Sequence, residues 1–395
     1  NTSSLYPTYS TIGTGTGSWI IDGTLANIAW APSLVSYNLS WEKIRTWNAG
    51  VDFGLFNNRL TGSFDYYIRK TDDMVGPSEK LPVVLGTAVP SSNNTNLKTF
   101  GWELELMWKD RLNNGLNYSA RFTLADSRTK ITRYSNPSGL IDGFYAGKYV
   151  GEIWGYETIG IAQSDQEMAE HIGRLINGGQ SNLGQDWKAG DIMYKDLNED
   201  GKIDAGSHTL QDHGDLKRIG NSTPRYNVGL ELAADWKGFD IRMFWQGTLK
   251  RDYFQGSYYF WGANGRQGPW FSTALKGHDD YFRNDEASPL GTNLNSYYPR
   301  PLFNTDKNQQ SQTKYLQDAS YLRLKNLQIG YSLPHNIVQK MGMQHLRIFA
   351  SGENLFTITS LIDFFDPESI EGGSWGHGNV YPLSRTFSFG LNVTF

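Results

Sequence analysis

Cysteine is absent from all 395 residues, which removes disulfides, thiol nucleophiles, Cys-ligated zinc and iron–sulfur clusters at once. Charge is also scarce. Asp, Glu, Lys and Arg make up 19% of the chain, and 36 basic against 40 acidic residues leave a net charge of −4. Without a basic field, nucleic acid is not an expected partner. No apolar run reaches the ~18 residues that a transmembrane helix needs. No signal peptide opens the chain and its first residue is Asn, so a mature or partial chain is expected. Length alone allows two or three domains of ~150 residues, or one large β architecture.

Aromatics and glycine are what the chain has in excess. There are 13 Trp, 22 Tyr and 20 Phe residues, and 43 Gly, while hydrophobic residues reach only 38%. Many aromatics with little charge suit β-strands joined by long loops, in either a carbohydrate-binding sandwich or an outer-membrane barrel.

Strand side chains point to opposite faces with period 2, so alternation is the signal to seek. Tyr226, Val228, Leu230, Leu232, Ala234 and Trp236 share one phase, against Asn227, Gly229, Glu231 and Asp235 on the other. After a two-residue turn at Lys237 and Gly238, the residues Phe239, Ile241, Met243, Trp245 and Leu249 repeat the pattern. The same reading gives nine strands at 47–55, 60–68, 100–108, 116–124, 225–236, 239–249, 321–333, 346–356 and 383–395. The phase changes between Leu324 and Leu327, which predicts a bulge. Strands of this length can cross an outer membrane at a tilt of about 45°.

Connections between the strands alternate strictly. Those at 56–59, 110–115, 237–238 and 334–344 are short, whereas about 71–98, 127–223, 251–320 and 357–381 are very long. Short turns on one side and long loops on the other are the pattern of a barrel with periplasmic turns and extracellular loops. Residues 1–40 then fall on the long-loop side as an extracellular loop region, and 41–395 form barrel and loops. Single-chain bacterial barrels close with an even strand number, so nine strands predict the C-terminal part of a larger barrel.

Several segments resemble the SusC/RagA-type family of TonB-dependent transporters found in glycan-foraging bacteria. They are WEK at 41–43, WNAGVDFG at 47–54, NRLTGSFDYY at 58–67, GDI at 190–192 and DLNEDGKID at 196–204. YLRLKNL at 321–327, GENLF at 352–356 and YPLSR at 381–385 complete the set, in the family's order along nearly the whole chain. The resemblance implies an all-β, 22-stranded transmembrane barrel of the outer membrane, of which this chain supplies roughly the last nine strands. The plug domain is absent from these residues. It further implies a SusD-like surface lipoprotein as lid and TonB as the energy source. An oligosaccharide is the expected cargo, with peptide as the variant within the family. Phe395 matches the terminal aromatic by which such barrels are recognised for assembly.

The sharpest local motif is a candidate calcium loop. Asp196, Asn198 and Asp200 stand at positions 1, 3 and 5, Gly201 at 6, the Lys202 carbonyl at 7 and Asp204 at 9. Position 12 holds Ser207 where an EF-hand has Glu, so Asp212 or Asp215 would have to substitute. The alternative is an Asx-rich turn without metal. If Ca²⁺ binds, its role is structural. Ser164 and Glu167 form a capping box that starts a helix running to about residue 177. Loop aromatics able to stack on a sugar ring are Tyr258, Tyr259, Trp261, Trp270 and Trp375; packing within the loops is the alternative. Strand residues Asp52, Asp65, Glu103, Glu105, Arg121, Glu231, Asp240, Arg242 and Arg347 occupy the polar phase and are expected to line a lumen. The run 13–17 is read as a flexible loop, since no Lys-Ser/Thr follows it.

Two other classes compete: a secreted, calcium-stapled β-sandwich that binds glycans, and a surface glycosidase using paired carboxylates. No carboxylate pair is singled out by spacing, so no enzyme activity is expected.

Overall fold

The computed structural model describes residues 9–32, 34–76, 89–263, 274–303, 305–372 and 378–395. In chain order the first strands are β1 (Thr14–Ile21), β2 (Thr24–Ala29), β3 (Lys43–Leu55), β4 (Leu60–Met74), β5 (Thr95–Arg111) and β6 (Asn117–Arg133). A long excursion then carries β7 (Glu152–Tyr156), β8 (Thr158–Ile161), α1 (Asp165–Arg174), β9 (Ile192–Tyr194) and β10 (Leu216–Asn221). After β11 (Arg225–Trp236) and β12 (Phe239–Lys250) come β13 (Asp252–Phe254), α2 (Tyr258–Trp261) and β14 (Leu316–Asp318). The chain ends with β15 (Tyr321–Ser332), α3 (His335–Lys340), β16 (His345–Thr359) and β17 (Thr386–Thr394).

Nine of these strands form one sheet in the order β17-β16-β15-β12-β11-β6-β5-β4-β3. All nine predicted strands are present, and each neighbours its successor. Among the described residues β17 and β3 do not pair with each other, so the sheet is open at both edges. Pairing is antiparallel and keeps the phases in register. Phe389, Ala350, Ile329, Ile241, Ala234 and Tyr118 fall in one row across β17, β16, β15, β12, β11 and β6. The predicted bulge is there too, with register shifts at Phe244/Trp245 and at Leu324/Asn326.

Several strands run past their predicted ends; β5 has 17 residues and β4 has 15. Their extra residues, such as Lys70, Asp72 and Asp73, are polar on both phases. Backbone pairing continues there without the apolar phase that announces it in sequence. The short turns follow φ > 0 chemistry. Lys237 (φ 50°) and Gly238 (φ 91°) make a two-residue hairpin turn whose twist matches its strands.

Residues 14–29, expected as loop, are instead the hairpin β1–β2. Asp22 (φ 50°) and Gly23 (φ 77°) supply its turn. Gly13 and Gly15 lie under the Trp30 ring, where a Cβ on Gly15 would meet the ring at 2.7 Å. Those glycines serve a close approach rather than flexibility.

By contact density the chain divides into two compact units, with residues Asn1–Asn48, Tyr67–Phe100 and Arg128–Val150 in the first and the remainder in the second. In the first, Asn93 ties segments together, its Nδ2 donating to the Ser40 carbonyl at 2.9 Å and its Oδ1 accepting the Ser40 N–H at 2.8 Å. The second unit holds three two-stranded ladders, β7 with β10, β8 with β9 and β13 with β14.

Candidate functional site in the long loops

The long loops of the second unit fold around a buried carboxylate. Asp191 is fully buried, and Arg300 grips it with Nε at 2.6 Å and Nη2 at 2.7 Å. Lys307 Nζ lies 2.9 Å away, and Asn308 Nδ2 donates at 2.9 Å. Burial opposes ionisation of Asp191, but the hydrogen bonds from Arg300, Asn308 and Lys307 outweigh it and hold the carboxyl below its usual range. Gly190 before it has φ 85°, and a Cβ there would stand 2.4 Å from the Phe282 ring. Only glycine fits.

Around this centre the polar groups are satisfied. Gln180 donates to the Ile192 carbonyl and accepts the Tyr194 N–H, while the Tyr194 hydroxyl donates to the Lys307 carbonyl at 2.6 Å. Helix α1 begins as expected, with Ser164 Oγ accepting the Glu167 N–H at 3.1 Å. Glu167 returns to the N–H of Gln163 instead of Ser164, one residue earlier than a standard capping box. Met168 buries α1 against Ala162 and Met193.

The 196–204 segment is a tight acidic loop. Asp196 Oδ2 accepts the Gly201 N–H at 2.8 Å, Asn198 Oδ1 that of Asp200, and Asp200 Oδ1 that of Lys202. The other Asp196 oxygen, Oδ1, is buried without a partner. Lys202 Nζ bonds Asp204 at 2.6 Å. Asp215, fully buried, accepts the N–H groups of Leu197 and Asp204, and burial pushes its carboxyl above the usual range, with Asp196 adding to the rise. Asp212 is committed to the hydroxyl and N–H of Ser207. Among the described residues no three His, Asp or Glu side chains converge on one point.

The aromatic residues singled out from sequence divide. Tyr258 and Tyr259 are half-buried, with ring centroids 4.2 Å apart. Trp261 is mostly buried, packed edge-on to Tyr315 at 4.7 Å and to Phe260 at 5.0 Å. Trp270 and Trp375 lie outside the described residues. Three tyrosines not anticipated, Tyr297, Tyr298 and Tyr315, complete the cluster. Their signal was a dense aromatic run at 297–298 without alternation. A cavity of about 370 Å³ opens beside them, with Trp261, His278, Tyr298, Pro299 and Leu302 in its wall. His278 Nδ1 accepts the Leu275 N–H, so its Nε2 carries the proton and donates to the Tyr259 and Phe260 carbonyls. Burial pushes this imidazole down, consistent with a neutral ring.

On the polar face of the sheet, charges are paired across strands. Arg347 on β16 reaches over β15 to Asp240 on β12, with Nε at 2.8 Å and Nη2 at 2.5 Å. Gly330 makes the crossing possible, because a Cβ there would sit 2.5 Å from both groups. Arg121 and Glu105 form a second two-pronged pair at 3.0 and 2.8 Å. Arg323 extends the system into a loop, bonding Asp366 at 2.6 Å and Glu368 at 2.9 Å.

Residues 1–355 match the family model described as TonB dependent receptor-like, beta-barrel. TonB-dependent receptor P3 of Formosa agariphila is 29% identical over 380 residues, covering 91% of this chain and 34% of that protein. TonB-dependent receptor SusC of Bacteroides thetaiotaomicron is 27% identical over 373 residues, covering 92% of this chain and 33% of that protein. The chain thus spans about a third of the length of the curated relatives it matches. Among solved structures, the RagAB peptide transporter superposes with a TM-score of 0.69 at 23% identity, covering 99% of this chain and 39% of that one.

Proposed function

From a chain that belongs to the TonB-dependent receptor-like β-barrel family, we propose a role in TonB-dependent import of a nutrient across the bacterial outer membrane, in company with a SusD-like surface lipoprotein. The carrying observation is the two-faced sheet. Phe387, Phe389 and Leu391 present one apolar edge outward, while Arg347, Asp240, Arg121 and Glu105 share the other face in pairs. A basic residue on a lipid-facing position costs about 2–4 kcal/mol near mid-membrane, so the charged face belongs on a watery lumen. In this reading the loops around Asp191 form a stiff rim over the lumen. The family is one of transporters, and no step here needs a catalytic residue.

An oligosaccharide is the cargo we favour. Tyr258 and Tyr259 offer half-exposed rings against which a sugar face can stack. Peptide is the second reading, favoured by the apolar wall of the cavity and by the peptide cargo named for the similarly folded RagAB transporter. A mild-detergent pull-down of the tagged protein from outer membranes, read by mass spectrometry, tests both. Recovery of a lipoprotein with a bound glycan supports the first reading, and a bound peptide supports the second. Release into buffer without detergent would overturn the membrane assignment.

Ca²⁺ is proposed as a staple of the 196–204 loop, held by Asp196, Asn198, Asp200 and the Lys202 carbonyl, with Asp204 at the margin. The orphaned Asp196 Oδ1 is the observation in favour. A bound divalent ion would neutralise these carboxylates and pin the loop. Calorimetric titration with Ca²⁺ against Mg²⁺ tests it. Saturable Ca²⁺ binding lost in Asp196→Asn supports the site, and no heat in either protein sinks it.

A further inference from the structure

Two side chains in the wall of the 370 Å³ cavity carry polar atoms without partners. They are the indole Nε1 of Trp261, a residue 6% exposed, and the hydroxyl of Tyr298, a residue 3% exposed. An indole N–H can only donate, and a phenol can donate or accept. Buried and unpaired, each holds hydrogen-bonding capacity that an occupant presenting an acceptor would satisfy.

The remaining polar groups in the wall are already committed. Asn308 serves Asp191 and the Ile192 N–H, Gln309 donates to the Ala263 carbonyl, and His278 is fixed by Leu275 and the Tyr259 carbonyl. Arg300 is engaged by Asp191. Pro299, Pro301, Leu302 and Phe303 supply apolar surface. Such a wall offers donors and few acceptors. A plain sugar has several O–H groups, each needing an acceptor, and fits poorly. An acyl carbonyl is a pure acceptor on an apolar carbon body, and its needs match.

We infer that this cavity is a ligand subsite for a neutral acyl group, specifically the acetamido or acetyl substituent of a modified sugar residue. The inference rests on the oligosaccharide reading and narrows it. The Trp261 and Tyr298 donors bond the acyl oxygen, and the proline-rich wall covers its methyl group. Tyr258 and Tyr259 precede Trp261 on α2, within the same segment that would meet the rest of the sugar.

Full-length protein in detergent, titrated with N-acetylglucosamine, glucose or N-acetyl-leucinamide, tests the assignment by calorimetry and saturation-transfer NMR. N-acetylglucosamine should bind at least tenfold more tightly than glucose, with its methyl protons receiving the strongest transfer. Tyr298→Phe, which removes one hydroxyl and no packing, should cut that preference several-fold; Trp261→Phe should do the same if it folds. Equal binding of the two sugars would overturn the acyl subsite while leaving glycan import standing. Binding of N-acetyl-leucinamide with neither sugar bound would overturn the sugar assignment and the glycan reading together. No binding of any probe would overturn the subsite, leaving a water-filled cavity.

Discussion

The apolar face of the sheet and the interior of the long loops are built from similar residues and solve opposite problems. On β17, Phe389 is 85% exposed and Leu391 67%, whereas Tyr194, Tyr315, Ile192 and Ile203 in the loops are fully buried. Lipid is as apolar as these side chains, so nothing drives the strand residues inward, and closed hydrogen-bonding of the backbone holds the sheet. The loops face water and need a core, with each buried polar group satisfied. One chain therefore carries two folding logics, divided by the solvent each part meets.

Four changes would break or sharpen that contrast. The largest is Asp191→Ala, which strands Arg300 and the buried Lys307 without their counter-charge. Loss of one partner in such a network costs about 3–5 kcal/mol. Proteolysis should then cut the loops rapidly while the barrel keeps its folded mobility on unheated gels; an intact loop pattern would mean that the network is not what holds them. Next is Leu232→Arg, at the middle of β11 on the apolar face, expected to cost about 2–4 kcal/mol of folding in lipid vesicles. The neighbouring Ala233→Arg, on the polar face, should cost much less. Equal penalties would erase the distinction between the faces.

Acid should separate two carboxylates of the loops. Asp191 is held below the usual carboxylate range, so its contribution is full above the unfolded pKa and is lost as pH falls through the folded one. Asp215 is raised, so it favours the fold when protonated, and that contribution disappears as pH rises through its folded pKa. Loop unfolding followed from pH ~7 down to ~3 should show Asp191→Asn flattening the acid limb and Asp215→Asn removing the opposing slope. Matching slopes in the two variants would contradict the assignment. The smallest effect belongs to Glu105→Gln, whose pair with Arg121 is roughly half exposed and contributes about 0–1 kcal/mol. A thermal midpoint displaced by many degrees would show that this face is drier than it is drawn here.

Legibility followed the same division. Strand alternation located β11 and β12 to the residue, because one face must be apolar and the other polar for the full width of the membrane. The bulge at Lys325 was visible for the same reason, since an extra residue flips the phase. Hairpin β1–β2 escaped notice although its Asp22-Gly23 turn is a strong signal, because Trp19, Ile20 and Ile21 run consecutively without alternation. The helix start at Ser164 was legible from its cap. Trp261, chosen as a surface for ligand, proved mostly a packing residue with one edge on a cavity. Aromatic composition cannot separate those two uses.

By itself the sequence determined which residues face which side of each strand, the order of nine strands and the placing of long and short connections. Period 2 and turn chemistry are local, so the chain carries them openly. Only the tertiary structure decided that Asp191 meets Arg300 and Lys307 across more than a hundred residues, and that Trp261 and Tyr298 keep their donors beside one cavity. Such meetings depend on how several irregular loops pack at once. No local period encodes them, and desolvation gives each one its meaning only after the neighbours are in place.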